Sequence, residues 1–255
     1  MKPAFSIARF VEDVRLVSSI GDEHVAIDWL PNGRTSLVVR VPEEGRGDAY
    51  VVGPRTRAKL KRARGFVRVA AIRFKPGWSP SLFGVPATAL TDQLVTLDEL
   101  WGATADGVTA DLVAARSVPA MLERLSRAVA ARAAFEPTSA RLARRAVQIF
   151  ETTETRVEAV AHQLGVTARH LRRAFADSVG IGPKDFARGV RLQRAITASG
   201  RSTTDRCDWA AIARGAGYYD QAHLIGDFRD LVGLTPVAYL ERRSGAGIPL
   251  QPAEI

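Results

Sequence analysis

A single cysteine, Cys207, stands among 255 residues, and that scarcity excludes several classes of protein. No disulfide closes within such a chain, no cysteine pair holds zinc, and a reducing cytoplasm is the expected setting. Histidine is nearly as sparse. His24 is the only one before His162, too few for a metal-dependent barrel built on clustered imidazoles. No apolar run approaches the roughly 20 residues that span a bilayer, and Met1–Phe10 lacks a signal peptide's apolar core. Neither GxGxxG nor GxxxxGK[ST] occurs, and the GWSPS context of Ser79 and Ser81 is not a nucleophile elbow. No catalytic residue, metal ligand or cofactor is assigned, and an enzyme is not expected. What the chain has in surplus is positive charge. Its 36 Lys and Arg against 27 Asp and Glu give a net charge of +9, which favours a polyanion as partner.

The most informative feature is a duplication. Val160–Phe186 is echoed by Ile212–Tyr239, and the copies align on Thr167 and Asp220. Both then place His-Leu three and four positions on (His170-Leu171, His223-Leu224). Phe175 and Phe228 follow, then Gly180 and Gly233, Pro183 and Pro236, Phe186 and Tyr239. Two copies of one helical unit imply two copies of one binding surface.

Each copy reads as helix, turn, helix. Thr155 and Glu158 form a capping-box pattern before Val157, Val160, Ala161 and Leu164, an apolar stripe at helical spacing. Gly165 is placed to end that helix, and Thr167 to cap the next, whose Leu171 and Phe175 share a buried face. Arg169, Arg172 and Arg173 lie opposite, where guanine O6 and N7 would meet them in a major groove. The unit therefore predicts a helix-turn-helix with its recognition helix at Thr167–Ser178. In the second copy Ala210, Ile212 and Ala213 pack a short helix, Gly215 and Gly217 end it, and Asp220 caps its successor. The positions matching the three arginines are Ala222, Ile225 and Gly226. Gln221 is the second unit's base reader, with Ala222 and Ile225 suited to thymine methyls. Lys184, Arg188, Arg191, Tyr218, Tyr219, Arg229 and Thr235 are expected on phosphates, Thr235-Pro236 as a cap that leaves free amides outward. His170 and His223 are read as packing or phosphate residues. The helix expected over Pro183–Ser199 is a rod of roughly 24 Å, fit to hold two recognition helices about 34 Å apart, one DNA turn.

These residues resemble the AraC/XylS family of transcription regulators over about Thr138–Arg243, the phrase GYYDQAHLIGDFRDLVGLTPVAY above all. The resemblance implies a seven-helix domain that recognises promoter DNA through both units. One departure stands out: relatives usually carry arginine where this chain has Gly226. Relatives that fuse this domain to alkyl-transfer repair use a reactive cysteine in a recognisable context, whereas Cys207 sits at a helix entrance and is read as structural.

The N-terminal stretch has another texture. Short apolar or alternating runs (Phe10–Val17, Val25–Trp29, Ser36–Val41, Tyr50–Val52, Phe66–Phe74) are separated by Pro31-Asn32-Gly33, Gly45, Gly53-Pro54, Gly65 and Pro76-Gly77. A small β-barrel or curled sandwich is expected, and an α+β chain overall. Arg55–Arg68 holds seven basic residues and no acid. It reads as a solvated strand edge, or else as an anionic effector site or an extra DNA contact. VVGPRT, AIRFKPGWSPSLFG and LVTLDELWG resemble the sensor domain of one AraC-type branch, which implies a cupin-like barrel, while Leu30–Leu37 departs from that branch's more acidic phrase. Arg73, Trp78, Phe83 and Trp101 are either pocket linings or plain core.

Val118–Phe135 is predicted helical, with Met121, Leu122, Leu125 and Val129 as an apolar stripe that docks on the barrel or meets a second chain. The resemblance favours the second, a homodimer. The expected divisions are 1–136, a β-rich sensor or oligomerisation domain; 137–243, the DNA-binding domain; and 244–255, a flexible tail. Promoter DNA, a small-molecule effector and, for an activator, RNA polymerase are the expected partners, with no membrane. The alternative keeps DNA binding but makes the N-terminal region a partner-binding module without a ligand.

Overall fold

A computed structural model describes residues 7–18, 24–130, 132, 136–200, 207–244, 248–249 and 251–252. Turn signals separate β1 (Val11–Ser18), β2 (Val25–Trp29), β3 (Ser36–Pro42), β4 (Asp48–Val52), β5 (Lys59–Ala63) and β6 (Phe66–Phe74). Short helices α1 (Ser79–Phe83) and α2 (Ala87–Leu90) lead to β7 (Leu94–Thr96), α3 (Leu97–Trp101), α4 (Ala105–Ala114) and α5 (Val118–Ala130). Then come α6 (Thr138–Thr152), α7 (Val157–Gln163), α8 (Ala168–Val179), α9 (Pro183–Ser199), α10 (Trp209–Ala216), α11 (Gln221–Val232) and α12 (Pro236–Ser244). The chain is α+β, a β-rich region followed by an all-helical one. No described helix is long and apolar enough to cross a membrane.

The barrel expected from the strand pattern does not close. One six-stranded sheet runs β7-β4-β3-β6-β1 and ends on β9 (Gln251–Pro252), while β5-β2 pair with β8 (Ile248–Pro249) in a separate three-stranded sheet. The long β6 is the cause. Antiparallel β1 and β3 take both of its edges, so β2 and β5, distant in the chain, pair with each other outside that sheet. Strand alternation then gives the large sheet two buried faces. Leu37, Val39, Val51, Ala70 and Ile72 join the core beneath α3–α5, whereas Val38, Tyr50, Val52, Val69 and Ala71 pack with Ile27 and Trp29 of the small sheet. The tail expected to be loose thus supplies two short strands, one to each sheet.

Helices rather than a second strand layer cover the first face, and the strand pattern gave no sign of α1–α4. The stripe Met121, Leu122, Leu125 and Val129 of α5 is buried in this core, so it docks on its own sheet and is not open to a second chain. Trp78, Phe83 and Trp101 belong to the same core. Phe10 meets Trp78 edge-on at 4.6 Å, Phe83 stacks on Trp101 at 6.2 Å, and the Trp101 indole donates to the Leu82 carbonyl at 3.1 Å.

The β-rich region and the helices touch along a broad seam. The turn Pro31–Arg34 presses into the C-terminal helices. A Cβ on Gly33 would lie 2.6 Å from the Phe186 ring, and one on Gly189 would overlap the Pro31 carbonyl. Arg34 pairs with Glu12 of β1 and donates to Glu151 of α6 at 3.0 Å. Farther along, Asp28 accepts from the Tyr239 hydroxyl and from Arg242, both at 3.2 Å, and the Ala58 amide donates to the Leu231 carbonyl at 2.6 Å.

Candidate nucleic-acid interface

The duplication in the sequence is a duplication in space. In the first unit the Thr167 side chain accepts from the His170 amide at 3.2 Å, and α8 ends at Gly180 with φ +86°. In the second the Asp220 carboxylate accepts from the His223 amide at 2.7 Å, and α11 ends at Gly233 with φ +79°. Thr235 caps α12 by accepting from Ala238 at 3.2 Å. Each unit has its own apolar core. Phe150, Phe175 and Phe186 meet in the first; Trp209, Phe228 and Tyr239 in the second. The rod α9 occupies the predicted residues and belongs to both cores, giving Phe186 to the first and Leu192, Ala195 and Ile196 to the second.

Two local expectations fail. Thr155 does not cap α7, whose preceding residue is Arg156 with no side-chain cap. Glu158, cast as the returning member of that box, instead accepts from Arg172 at 2.7 Å. The helix starts one residue later than the pattern implies, so Thr155 and Glu158 fall one position before the N-cap and N3 places that a box needs. Gly215 does not end α10 either; the helix runs through it to Ala216, and Gly217 with φ +89° makes the turn.

The outward faces differ as the sequence predicts. Arg169, Arg172 and Arg173 are all exposed on α8, on the side away from buried Leu171 and Phe175. Gln221, Ala222 and Gly226 are exposed on α11 and Ile225 is half-buried. A Cβ on Gly226 would meet nothing within 4 Å. Lys184 and Arg229 are exposed, Thr235 is half-buried, and the Tyr219 side chain is 90% exposed.

Three of the expected phosphate residues are engaged inside the protein. Arg188 donates to Asp227 at 2.7 and 3.0 Å and to Asp230 at 3.1 Å, and these bonds hold its guanidinium pKa above the ordinary value. Arg191 lies 3.7 Å from Asp227 and 5.3 Å from the Tyr218 ring centroid. Tyr218 is only 4% exposed, its ring edge-on to His223 at 5.2 Å, and burial beside Asp227 pushes its hydroxyl pKa upward. Arg188 and Arg191 thus tie α9 to α11 around a buried carboxylate, with the buried Tyr218 ring beside them. The residue that sequence reasoning missed is Asp227. Only its place three residues after Leu224, on the face read as buried through Leu224 and Phe228, hinted at burial.

With that geometry in place, two family matches acquire meaning. Residues 160–242 match the family described as helix-turn-helix domain, and residues 1–96 match one described as a domain of unknown function. The C-terminal region of this chain is an AraC-type helix-turn-helix domain, the kind borne by DNA-binding transcription regulators. No curated protein matches the chain. Among solved structures, an AraC-type transcriptional regulator from Chromobacterium violaceum is 22% identical over 42% of this chain and 95% of that one, with a TM-score of 0.37. A probable AraC family regulator from Rhodopseudomonas palustris is 28% identical over 40% and 96%, with a TM-score of 0.34. ToxT from Vibrio cholerae is 13% identical over 93% and 99%, with a TM-score of 0.44.

Proposed function

We propose that this chain is a sequence-specific, effector-responsive transcription regulator that enters two successive major grooves of promoter DNA with α8 and α11. One observation carries the reading. Two cap-matched helices share a rod, and the first presents three exposed arginines on the side away from its core. Arg169, Arg172 and Arg173 take the direct base contacts, since a guanidinium bonds guanine O6 and N7 with two parallel donors. Gln221 reads a base in the second groove while Ala222 and Ile225 meet thymine methyls. Lys184, Tyr219, Arg229 and Thr235 hold phosphates, which position the protein without naming a sequence. The divisions 1–136 and 137–243 are the effector-responsive and DNA-reading parts, working in the cytoplasm. With the stripe of α5 buried on its own sheet, this reading takes the paired readers to be the two units of one chain.

Selection of bound sequences from random DNA with the full chain, followed by footprinting, tests this. The expected result is an asymmetric site with a strongly specified segment and, one helical turn away, a weakly specified one. Protection confined to a single groove would end the two-groove reading.

A further inference from the structure

A cavity of about 390 Å³ lies in the seam between the β-rich region and the C-terminal helices. Its size falls in the range of small-molecule sites, and its lining is unusual for an interface within one chain. Five arginines reach it: Arg15, Arg34, Arg55 and Arg73 from the β-rich side and Arg243 at the end of α12. Among the described residues Asp28 is the only acid in its lining, and it is engaged by Tyr239 and Arg242. A second hollow of about 400 Å³ shares Asn32, Arg34, Arg73, Gln193 and Thr197 with the first, so the two form one cleft.

The arginines are not equally compensated. Arg34 is held by Glu12 and Glu151, and Arg73 by Asp13. Arg55 is only 5% exposed. One of its terminal nitrogens donates to the Asp92 carbonyl at 2.6 Å, while its buried Nε has no partner. The buried Nε of Arg15 has no hydrogen-bond partner either, Asp13 lying 3.8 Å away, and the Gln193 amide nitrogen in the same lining is also unpaired. Burial depresses the pKa of both Arg15 and Arg55, Arg15 further through Arg73. Those three atoms are themselves sealed from the cavity, so what the lining offers an anion is the positive charge of Arg15 and Arg55, neither of which meets a carboxylate within hydrogen-bond distance. Ile27, Trp29, Val52 and Ile196 supply apolar wall beside them.

We propose that this cleft is the effector site and that its ligand is a small organic anion, with a carboxylate or phosphate at Arg15 and Arg55 and an apolar body against Ile27 and Trp29. The proposal rests on the effector-responsive reading above and gives it a place and a chemistry. Because Gln193 lies on α9 and Arg243 on α12, such a ligand touches both the rod between the recognition helices and the helix that follows them. It would therefore bias how the second unit sits against the β-rich region.

Calorimetry on the full chain with benzoate, succinate and phenyl phosphate tests the site, alongside Arg55→Gln, Arg15→Gln and the milder Gln193→Ala. At least one probe should bind the wild type with a stoichiometry of one. A lost charge-assisted contact should weaken it roughly tenfold or more in each arginine variant, and by less in Gln193→Ala. Preference for phenyl phosphate over the carboxylates identifies the phosphate source, and the reverse the carboxylate. Absence of binding by all three, or binding unchanged in every variant, overturns the proposal. DNA affinity measured in parallel separates it from the reading beneath it. A bound anion that leaves DNA affinity unchanged keeps the anion site but removes its effector role. DNA affinity that responds to the anion equally in wild type and all variants keeps an effector response and removes this site.

Discussion

In the first helix-turn-helix unit Phe175 meets Phe186 at 5.3 Å, and in the second Phe228 meets Tyr239 at 6.1 Å. The internal skeletons are thus close copies, down to the cap that opens each recognition helix and the left-handed glycine that closes it. Their outer faces have diverged. Three exposed arginines on α8 stand where α11 has alanine, isoleucine and glycine, while α11 has gained a buried carboxylate gripped by α9. Core positions are constrained by packing, where one lost methylene is felt, and surface positions by whatever they touch outside. On the proposed reading the first unit specifies and the second is held in place.

The largest expected effect tests the shared rod. Phe175→Ala and Phe228→Ala each remove a fully buried ring and should cost about 3–5 kcal/mol. Because α9 enters both cores, thermal unfolding of either variant followed by circular dichroism should shift both units together. Two separated transitions would mean that the units melt independently. Next comes the difference between the faces. Arg173→Ala should weaken binding to the selected site by about 1–3 kcal/mol and relax one base position, whereas Ala222→Gly should barely register. Equal losses in a mobility-shift titration at fixed salt would erase the asymmetry.

Gly226→Arg sharpens the comparison from the other side. Open space surrounds that position, so the new side chain has room, and a poor helix residue is replaced by a good one. The variant should gain up to about 1 kcal/mol in stability and bind DNA more tightly with a steeper salt dependence. The smallest effect concerns Glu158, whose pair with Arg172 is exposed on both sides. Such pairs contribute about 0–1 kcal/mol, so Glu158→Gln should leave the melting temperature nearly unchanged and tighten DNA binding slightly by freeing Arg172. A clear loss of affinity would mean that the pair orders Arg172 for its contact.

What could be read from the sequence was local. The rod over Pro183–Ser199, its proline start, and the caps Thr167 and Asp220 follow from residues within a turn of one another. Even local signals compete, however. Thr96-Leu97-Asp98-Glu99 and Thr155-Arg156-Val157-Glu158 carry the same capping-box pattern, yet only the first forms the box. In the second the helix begins after Arg156, one residue too late for the pair, and the Glu158 carboxylate meets Arg172, 14 residues away. The engagement of Arg188 by Asp227 spans 39 residues, so an arginine on an outward-looking helix gave no sign that its charge was already met. Strand order is more distant still. Alternation announced strands but not that β6 would bind β1 and β3 and leave the barrel open. The cavity was the least legible feature, since Arg15, Arg34, Arg55, Arg73 and Arg243 converge from five segments; only the acid-free run beginning at Arg55 pointed toward it.

The turn at Pro31–Arg34 has a consequence for anyone who would rebuild this molecule. Its carbonyl at Pro31 rests where Gly189 has no side chain, and Gly33 sits over Phe186. The fit is a lock cut for one key. A chimaera joining this DNA reader to a foreign N-terminal partner would need to transplant that four-residue tongue, together with an acid to meet its arginine. A graft that omitted it would leave Phe186 wetted and Glu151 without its mate.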